Sequence, residues 1–250
     1  MVDLGFIFLF FILGLSVGSF LNVLIDRIPR GESLTGRSHC DSCREPLRWL
    51  DLIPLASFLL LKGKCRYCQS TISLRYPFVE LLTGILYVLT FTYAPNFNII
   101  LPYSLIMMSI FIVIFFSDLL YGIIPDKILF SALAASLLYF GLIDQDNFTE
   151  RLLAALGSFS LLGSIFLFTK GKGMGFGDVK LAFLIGFFLG WPLSAFSLYF
   201  SFLTGGVISV MLLLYRVKRV GETVPFGPFL VLGAVVLYFG QEIVLGLIRF

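Results

Sequence analysis

Two groups of residues in this 250-residue chain have the types and spacing to do chemistry. The first is a pair of CxxC elements, Cys40-Asp41-Ser42-Cys43 and Cys65-Arg66-Tyr67-Cys68, with 21 residues between them. Each CxxC turn aims two thiolates at one point, and two such turns complete a tetrahedron around Zn2+. Four sulfurs leave no open coordination position, so this zinc would be structural and would not activate water. Gly63 suits a tight turn beside the second pair, and Lys64 and Arg66 would offset thiolate charge. His39, the one histidine, adjoins Cys40 and reads as an exposed neighbour, since the cysteines already suffice. Two disulfides and a redox-active CxxC are the rival uses of the same residues.

The second group is Asp118 and Asp178. Asp118 closes the apolar run 110–116 and precedes Pro125-Asp126, whereas Asp178 closes Gly173-Met174-Gly175-Phe176-Gly177-Asp178, just before Val179-Lys180. Two carboxylates brought close cannot both ionise easily, so one keeps its proton and the other acts as a base. That is the requirement of an aspartic protease: the base takes a proton from water while the acid polarises the scissile carbonyl. Taken singly, the same residues have plainer readings. Asp118 is then a lone interfacial carboxylate, and Asp126 and Asp178 are helix N-caps. A Ser-His or Cys-His catalyst would have to draw on His39, inside the cysteine loop. No HExxH motif occurs, and the alternating glycines match neither a Walker A nor a Rossmann fingerprint.

The elements that must position these residues follow from composition. The chain is 58% hydrophobic and 13% charged, with 29 Phe, and its mean hydropathy is +0.99. Such a chain has too little polar surface for a water-soluble domain, which excludes a soluble enzyme, a disordered linker and a nucleic-acid binder. Eight apolar stretches are of membrane-crossing character: 4–25, 77–93, 99–116, 128–143, 152–169, 179–189, 193–215 and 226–248. The sixth is short unless its flanks join it. The stretches are apolar all round rather than alternating, so the fold class is all-α, a polytopic transmembrane helix bundle of about eight spans. The first span lacks a basic leading region and is too long for a signal peptide.

Sidedness follows from the Lys and Arg residues. Nine lie between spans one and two, and Lys127, Lys170, Lys172, Lys180, Arg216, Lys218 and Arg219 fall on the same side, leaving Arg151 and Arg249 opposite. The positive-inside rule puts the rich side in the cytoplasm. The chain then divides into a first transmembrane helix at 1–25, a cytoplasmic four-cysteine zinc domain at 26–76 and a membrane core of about seven helices at 77–250. A reducing cytosol favours zinc over disulfides. Both aspartates fall at cytoplasmic helix ends. The basic loop also suits anionic lipid headgroups, although setting topology alone accounts for it. A proton- or cation-coupled transporter using the same aspartates, and a zinc-loop adaptor, are the alternatives from other classes.

Several ordered motifs together resemble the type IV prepilin peptidases, of the GxGD membrane aspartic protease group. Gly18-Ser19-Phe20-Leu21-Asn22-Val23 with Arg27-Ile28-Pro29 is similar to that family's first-helix ending, and the CxxC pairs flank Pro54-Leu55-Ala56-Ser57. Arg75-Tyr76-Pro77-Phe78-Val79-Glu80-Leu81, Asp118 with Pro125-Asp126, Gly175-Phe176-Gly177-Asp178-Val179-Lys180 and Pro225-Phe226-Gly227-Pro228-Phe229 follow in order. One departure is Asp41, where a proline often follows the first cysteine. The resemblance implies leader cleavage after a glycine in prepilin and pilin-like precursors, at the cytoplasmic face of a bacterial inner membrane. N-methylation of the new terminus with S-adenosyl-L-methionine follows. It assigns the dyad to Asp118 and Asp178 and the metal to Cys40, Cys43, Cys65 and Cys68, with precursor proteins and membrane lipid as partners and no nucleic acid. Glu80 is a candidate partner for an amino terminus or an arginine, with a bundle-interior ion pair as the equal alternative.

Overall fold

A backbone in lipid must satisfy its own hydrogen bonds, and continuous apolar runs do this as helices. The computed structural model describes residues 3–93, 100–215 and 224–248. Among these the regular elements are helical, with only two single-residue β-bridges, His39 to Pro46 and Lys64 to Thr71. The helices are α1 (Leu4–Arg27), α2 (Ala56–Leu60), α3 (Arg75–Tyr93), α4 (Ile100–Tyr121), α5 (Asp126–Leu142), α6 (Phe148–Phe168), α7 (Phe176–Leu189), α8 (Leu193–Leu214), α9 (Gly227–Phe239) and α10 (Gln241–Ile248). Short 3-10 turns occupy Trp49–Leu52 and Gln145–Asn147.

Each of the eight expected stretches forms helix, and six segments among the described residues are long and apolar enough to cross a membrane. The other two are α5, with 17 residues, and α7, with 14. At 1.5 Å per residue α7 is only about 21 Å long, against a hydrocarbon core of about 30 Å. Its surroundings explain why this is tolerated. It packs against α5, α6, α8 and α9, and all its residues from Leu184 to Leu189 are buried, so neighbouring helices rather than lipid cover it. The expected start of the third span at residue 99, and the basic residues Arg216, Lys218, Arg219 and Arg249, lie outside the described residues.

The chain forms two compact units, Met1–Val113 and Ile114–Phe250, divided within α4. In the first, α1 lies along α3 through small residues. A Cβ on Gly14 would come 2.7 Å from the Gly84 Cα, and one on Gly18 would come 2.7 Å from the Glu80 Cα. Close backbone approach of this kind drives helix association where lipid removes the hydrophobic incentive. Further along, Phe10 stacks on Phe91 at 4.4 Å.

In the second unit α7 is the central helix. Gly186 presses its backbone against Ala155, where a Cβ would sit 2.6 Å from the Ala155 Cα. The far end of α7 is closed by α6. Arg151 Nη1 donates to the Phe187 carbonyl (3.5 Å) and to that of Phe188, and its guanidinium lies 4.2 Å over the Phe140 ring. Cations favour helix C-termini, whose last carbonyls lack partners. Arg151, one of the two basic residues expected opposite the charge-rich side, is engaged with a helix end.

Candidate functional site

The two aspartates are both in the second unit and both buried, Asp118 at 6% and Asp178 at 7% exposure. Helix α4 continues past the expected end of its span to Tyr121, so Asp118 lies in its last turn. Helix α7 begins three residues earlier than hydropathy indicates. Gly175 is the N-cap, and Asp178 occupies the third helical position. Its Oδ2 accepts the Gly175 N–H (3.2 Å), and its own N–H donates to the Gly175 carbonyl (3.2 Å). Asp178 is thus a reach-back acceptor for the N–H of the N-cap, the half of a capping box that a glycine N-cap allows, rather than the N-cap itself.

Asp118 is held by a group far away in sequence. Its Oδ2 accepts the backbone N–H of Gly227, the first residue of α9, at 3.0 Å. A helix N-terminus has spare N–H donors and a positive dipole end, so it seats a carboxylate well. Only glycine permits this approach, since a Cβ there would lie 2.6 Å from the Asp118 Oδ2. Each acid thus has one oxygen pinned by a backbone N–H at a helix start.

The segment that follows Asp118 is clamped to the turn that carries Asp178. Gly122, with φ +64°, ends α4, and Ile124 packs on Gly177, where a Cβ would meet the Ile124 Cβ at 3.3 Å. Asp126, for which an N-cap was the plainer reading, is the first residue of α5 behind the N-cap Pro125. Its carboxylate pairs with Lys180, whose ammonium lies 5.5 Å over the Phe176 ring. Contacts on both sides of Asp178, at Gly177 and Lys180, therefore fix the chain that leaves Asp118. Sequence reasoning missed the Gly227 and Asp126–Lys180 contacts. The one available signal was the Gly227-Pro228 step, a helix start with Pro near its first position.

In the first unit the four cysteine sulfurs lie within 4.8 Å of one another and form a group able to hold a metal ion. The two turns are built alike. Arg44 N–H donates to the Cys40 carbonyl and Gln69 N–H to that of Cys65, while Cys40 N–H donates to Glu45 and Cys65 N–H to Ser70. Arg44 and Gln69 take matching positive φ of 61° and 58°. The Ser70 hydroxyl contacts the sulfurs of Cys68 (3.1 Å) and Cys40 (3.7 Å). The backbone N–H of Cys43 pulls the Cys40 thiol down to about 6, and Ser70 lowers that of Cys68. Both changes favour the thiolate, which is the form that ligates metal, whereas at Cys43 the pull of the Glu45 N–H is outweighed by desolvation and the three neighbouring thiols, which push its thiol up to about 12. His39 stands outside the cluster, accepting from Arg44 Nη1 at 3.1 Å. Arg66 is paired with Asp51 at 2.6 Å.

Several contacts tie this domain to the helices. The Tyr76 hydroxyl donates to Asp26 (3.0 Å) and to Asp41 (3.3 Å), and Arg75 pairs with Asp26 at 2.7 Å. Glu80, a candidate partner for an amino terminus, an arginine or a bundle-interior ion pair, accepts the Leu55 backbone N–H at 2.8 Å.

Fold and sites together describe an all-helical, multi-pass membrane protein with a thiolate cluster and a buried carboxylate pair. Residues 12–94 match the Bacterial Peptidase A24 N-terminal domain, and residues 105–210 match the Type IV leader peptidase family. A prepilin leader peptidase/N-methyltransferase of Aeromonas salmonicida is 33% identical over 267 residues, covering 94% of this chain and 91% of the relative. Proteins of the same name from Pseudomonas aeruginosa (32%, covering 96% and 92%) and Bacillus subtilis (35%, covering 94% of each chain) are also similar. No solved structure matches. The chain belongs to the type IV leader peptidase family and is an enzyme of that peptidase class.

Proposed function

We propose that this protein is a membrane aspartic endopeptidase that removes the leader of type IV prepilins and pilin-like precursors after a glycine. The observation that carries this reading is the pair of buried carboxylates at the ends of α4 and α7, each held by a backbone N–H. Asp118 and Asp178 share one proton. The ionised member takes a proton from water, and that water attacks the scissile carbonyl. The protonated member polarises the carbonyl oxygen, and the leaving amine collects a proton as the C–N bond breaks.

Location supports the same reading. A prepilin leader is polar and the following segment apolar, so the scissile bond lies at the membrane edge, where helix ends put their side chains. The Lys and Arg distribution indicates the cytoplasmic face of a bacterial inner membrane. A transporter would want its acids near the bilayer middle, and these lie at helix ends.

Cys40, Cys43, Cys65 and Cys68 would hold a structural Zn2+. Tetrahedral zinc with Zn–S bonds of about 2.3 Å sets its sulfurs about 3.8 Å apart, and Cys40 and Cys68 sulfurs are 3.8 Å apart. Residues 26–76 then form the zinc domain and residues 77–250 the peptidase core. The relatives' name also motivates a second activity, methylation of the new N-terminus by S-adenosyl-L-methionine. Purified protein incubated with a precursor should release the leader, and the mature product should gain the mass of one methyl group only when that donor is added. An unchanged precursor mass rejects the peptidase reading, and an unmethylated product rejects the second activity.

Gly227→Ala is expected to lower the cleavage rate by about 100-fold, because the added methyl displaces a reacting group from its working geometry. Gly157→Ala is the control, since a Cβ there meets nothing within 4 Å. Equal rates for the two variants, measured by precursor processing, would separate Gly227 from the Asp118 seat.

A further inference from the structure

The zinc domain carries a surface that water does not explain. Six large apolar residues, Trp49, Leu50, Leu52, Ile53, Leu59 and Leu60, are exposed on the 3-10 turn, the residue that follows it and α2, with Trp49 at 74% and Leu60 at 82%. A domain of this size in water does not leave such a cluster uncovered. The two arms of the cluster meet at a sharp reversal. Leu55 has φ 57° and ψ −47°, and Ala56 N–H donates to the Pro54 carbonyl. This is a γ-turn of the positive-φ kind, a rare and strained conformation that persists only when its surroundings fix it. Glu80 is what fixes it, by accepting the Leu55 N–H.

That bond also sets depth. Glu80 is five residues into α3 from Arg75, about 7.5 Å along the helix axis. Arg75 and Asp26, paired at 2.7 Å, mark the polar ends of α3 and α1. The Leu55 turn is therefore held further toward the apolar body of these helices than their terminal ion pair. Near the same level of α3, Phe78 and Leu81 are exposed too, as lipid-facing residues of a spanning helix are. Arg48, Lys62 and Lys64, all exposed, bracket the segment.

We propose that residues 49–60 lie in the membrane interface, with Trp49, Leu59 and Leu60 at the level where headgroups meet acyl chains. Arg48, Lys62 and Lys64 reach the phosphates of anionic lipids. The pattern is that of an interfacial amphipathic segment: an apolar face, flanking cations and a tryptophan at the boundary. The zinc domain is thereby held flat against the bilayer by its own backbone bond to α3.

The chain has two tryptophans, so Trp191→Phe leaves Trp49 as the only reporter. The full-length protein is reconstituted in phosphatidylcholine vesicles with and without phosphatidylglycerol. Lipids brominated near the top of the acyl chain should quench Trp49 several-fold more than lipids brominated near the chain end, and aqueous iodide should quench it weakly. Adding Leu59→Asp and Leu60→Asp, both at exposed positions, should raise iodide quenching several-fold, and phosphatidylglycerol should deepen lipid quenching. If Trp191→Phe disturbs folding, the difference between wild type and Trp49→Phe gives the same readout. Iodide quenching of Trp49 as strong as for a free tryptophan analogue, with no effect of brominated lipid, would overturn the proposal and leave the patch to a protein partner. Lipid quenching indifferent to phosphatidylglycerol would overturn the role of the three cations.

Discussion

Asp118→Asn and Asp178→Asn are each expected to abolish leader cleavage while the protein inserts and folds. Asparagine matches aspartate in size, and its carbonyl oxygen can still accept the N–H of Gly227 or Gly175, so the seats formed at 3.0 Å and 3.2 Å keep their geometry. What is lost is the proton chemistry. A neutral amide can neither take a proton from water nor give one to the carbonyl. General acid–base catalysis contributes about 10²–10⁴-fold, so each variant should lose at least that factor in processing rate. On the proposed mechanism the two acids act on one shared proton, so the double variant should be no worse than either single one. Helix content and thermal unfolding should stay at the wild-type level, which separates lost chemistry from lost structure. Processing at the wild-type rate in both single variants would remove the protease reading, whatever the relatives are called.

Much of the site was legible because it sits on local signals. Continuous apolar runs declare helices, two CxxC pairs declare a thiolate cluster, and an acid closing an apolar run declares a helix end. The limits of local reading show at particular residues. Hydropathy starts the sixth span at Val179, but α7 starts at Phe176 because the Asp178 carboxylate reaches back to the Gly175 N–H, which no apolar window registers. The Gly227–Asp118 contact joins residues 109 apart, and the Asp126–Lys180 pair joins residues 54 apart. Periodicity carries no information about such pairings, since they depend on which helices become neighbours. The same holds for α7, whose 14 residues look too short until the helices around it are known. Glu80 was conspicuous as an acid in a span, yet its partner is a backbone N–H at Leu55, a group every residue but proline offers and no sequence marks.

Removing one cysteine is expected to have the second large effect, on structure before chemistry. Between Ile25 and Val79 the only buried apolar residue is Cys65, at 3% exposure. About 50 residues therefore fold with no hydrophobic core, and their two turns are tied to each other through the sulfur cluster. Each turn is locally closed by its own backbone hydrogen bonds, so a metal has only to join two preformed halves. Structural zinc supplies apparent binding energies of about 10–16 kcal/mol in small metal-folded modules, far more than the few surface contacts of this loop could replace. Cys40→Ser and Cys68→Ser should each lose the one zinc per chain that elemental analysis of the wild type is expected to find. Amide exchange should then rise throughout residues 38–71, while α5 to α9, which belong to the other compact unit, keep their protection. Ser70→Ala makes the graded test. It removes a hydroxyl that contacts two sulfurs but no ligand, and loss of such a supporting group weakens metal binding by about 10–100-fold. It should retain zinc until a competing chelator is added, whereas the cysteine variants should purify without it. Wild-type protein that carries no zinc, or a Cys68→Ser variant that keeps it against the same chelator, would show that some other force holds this loop together.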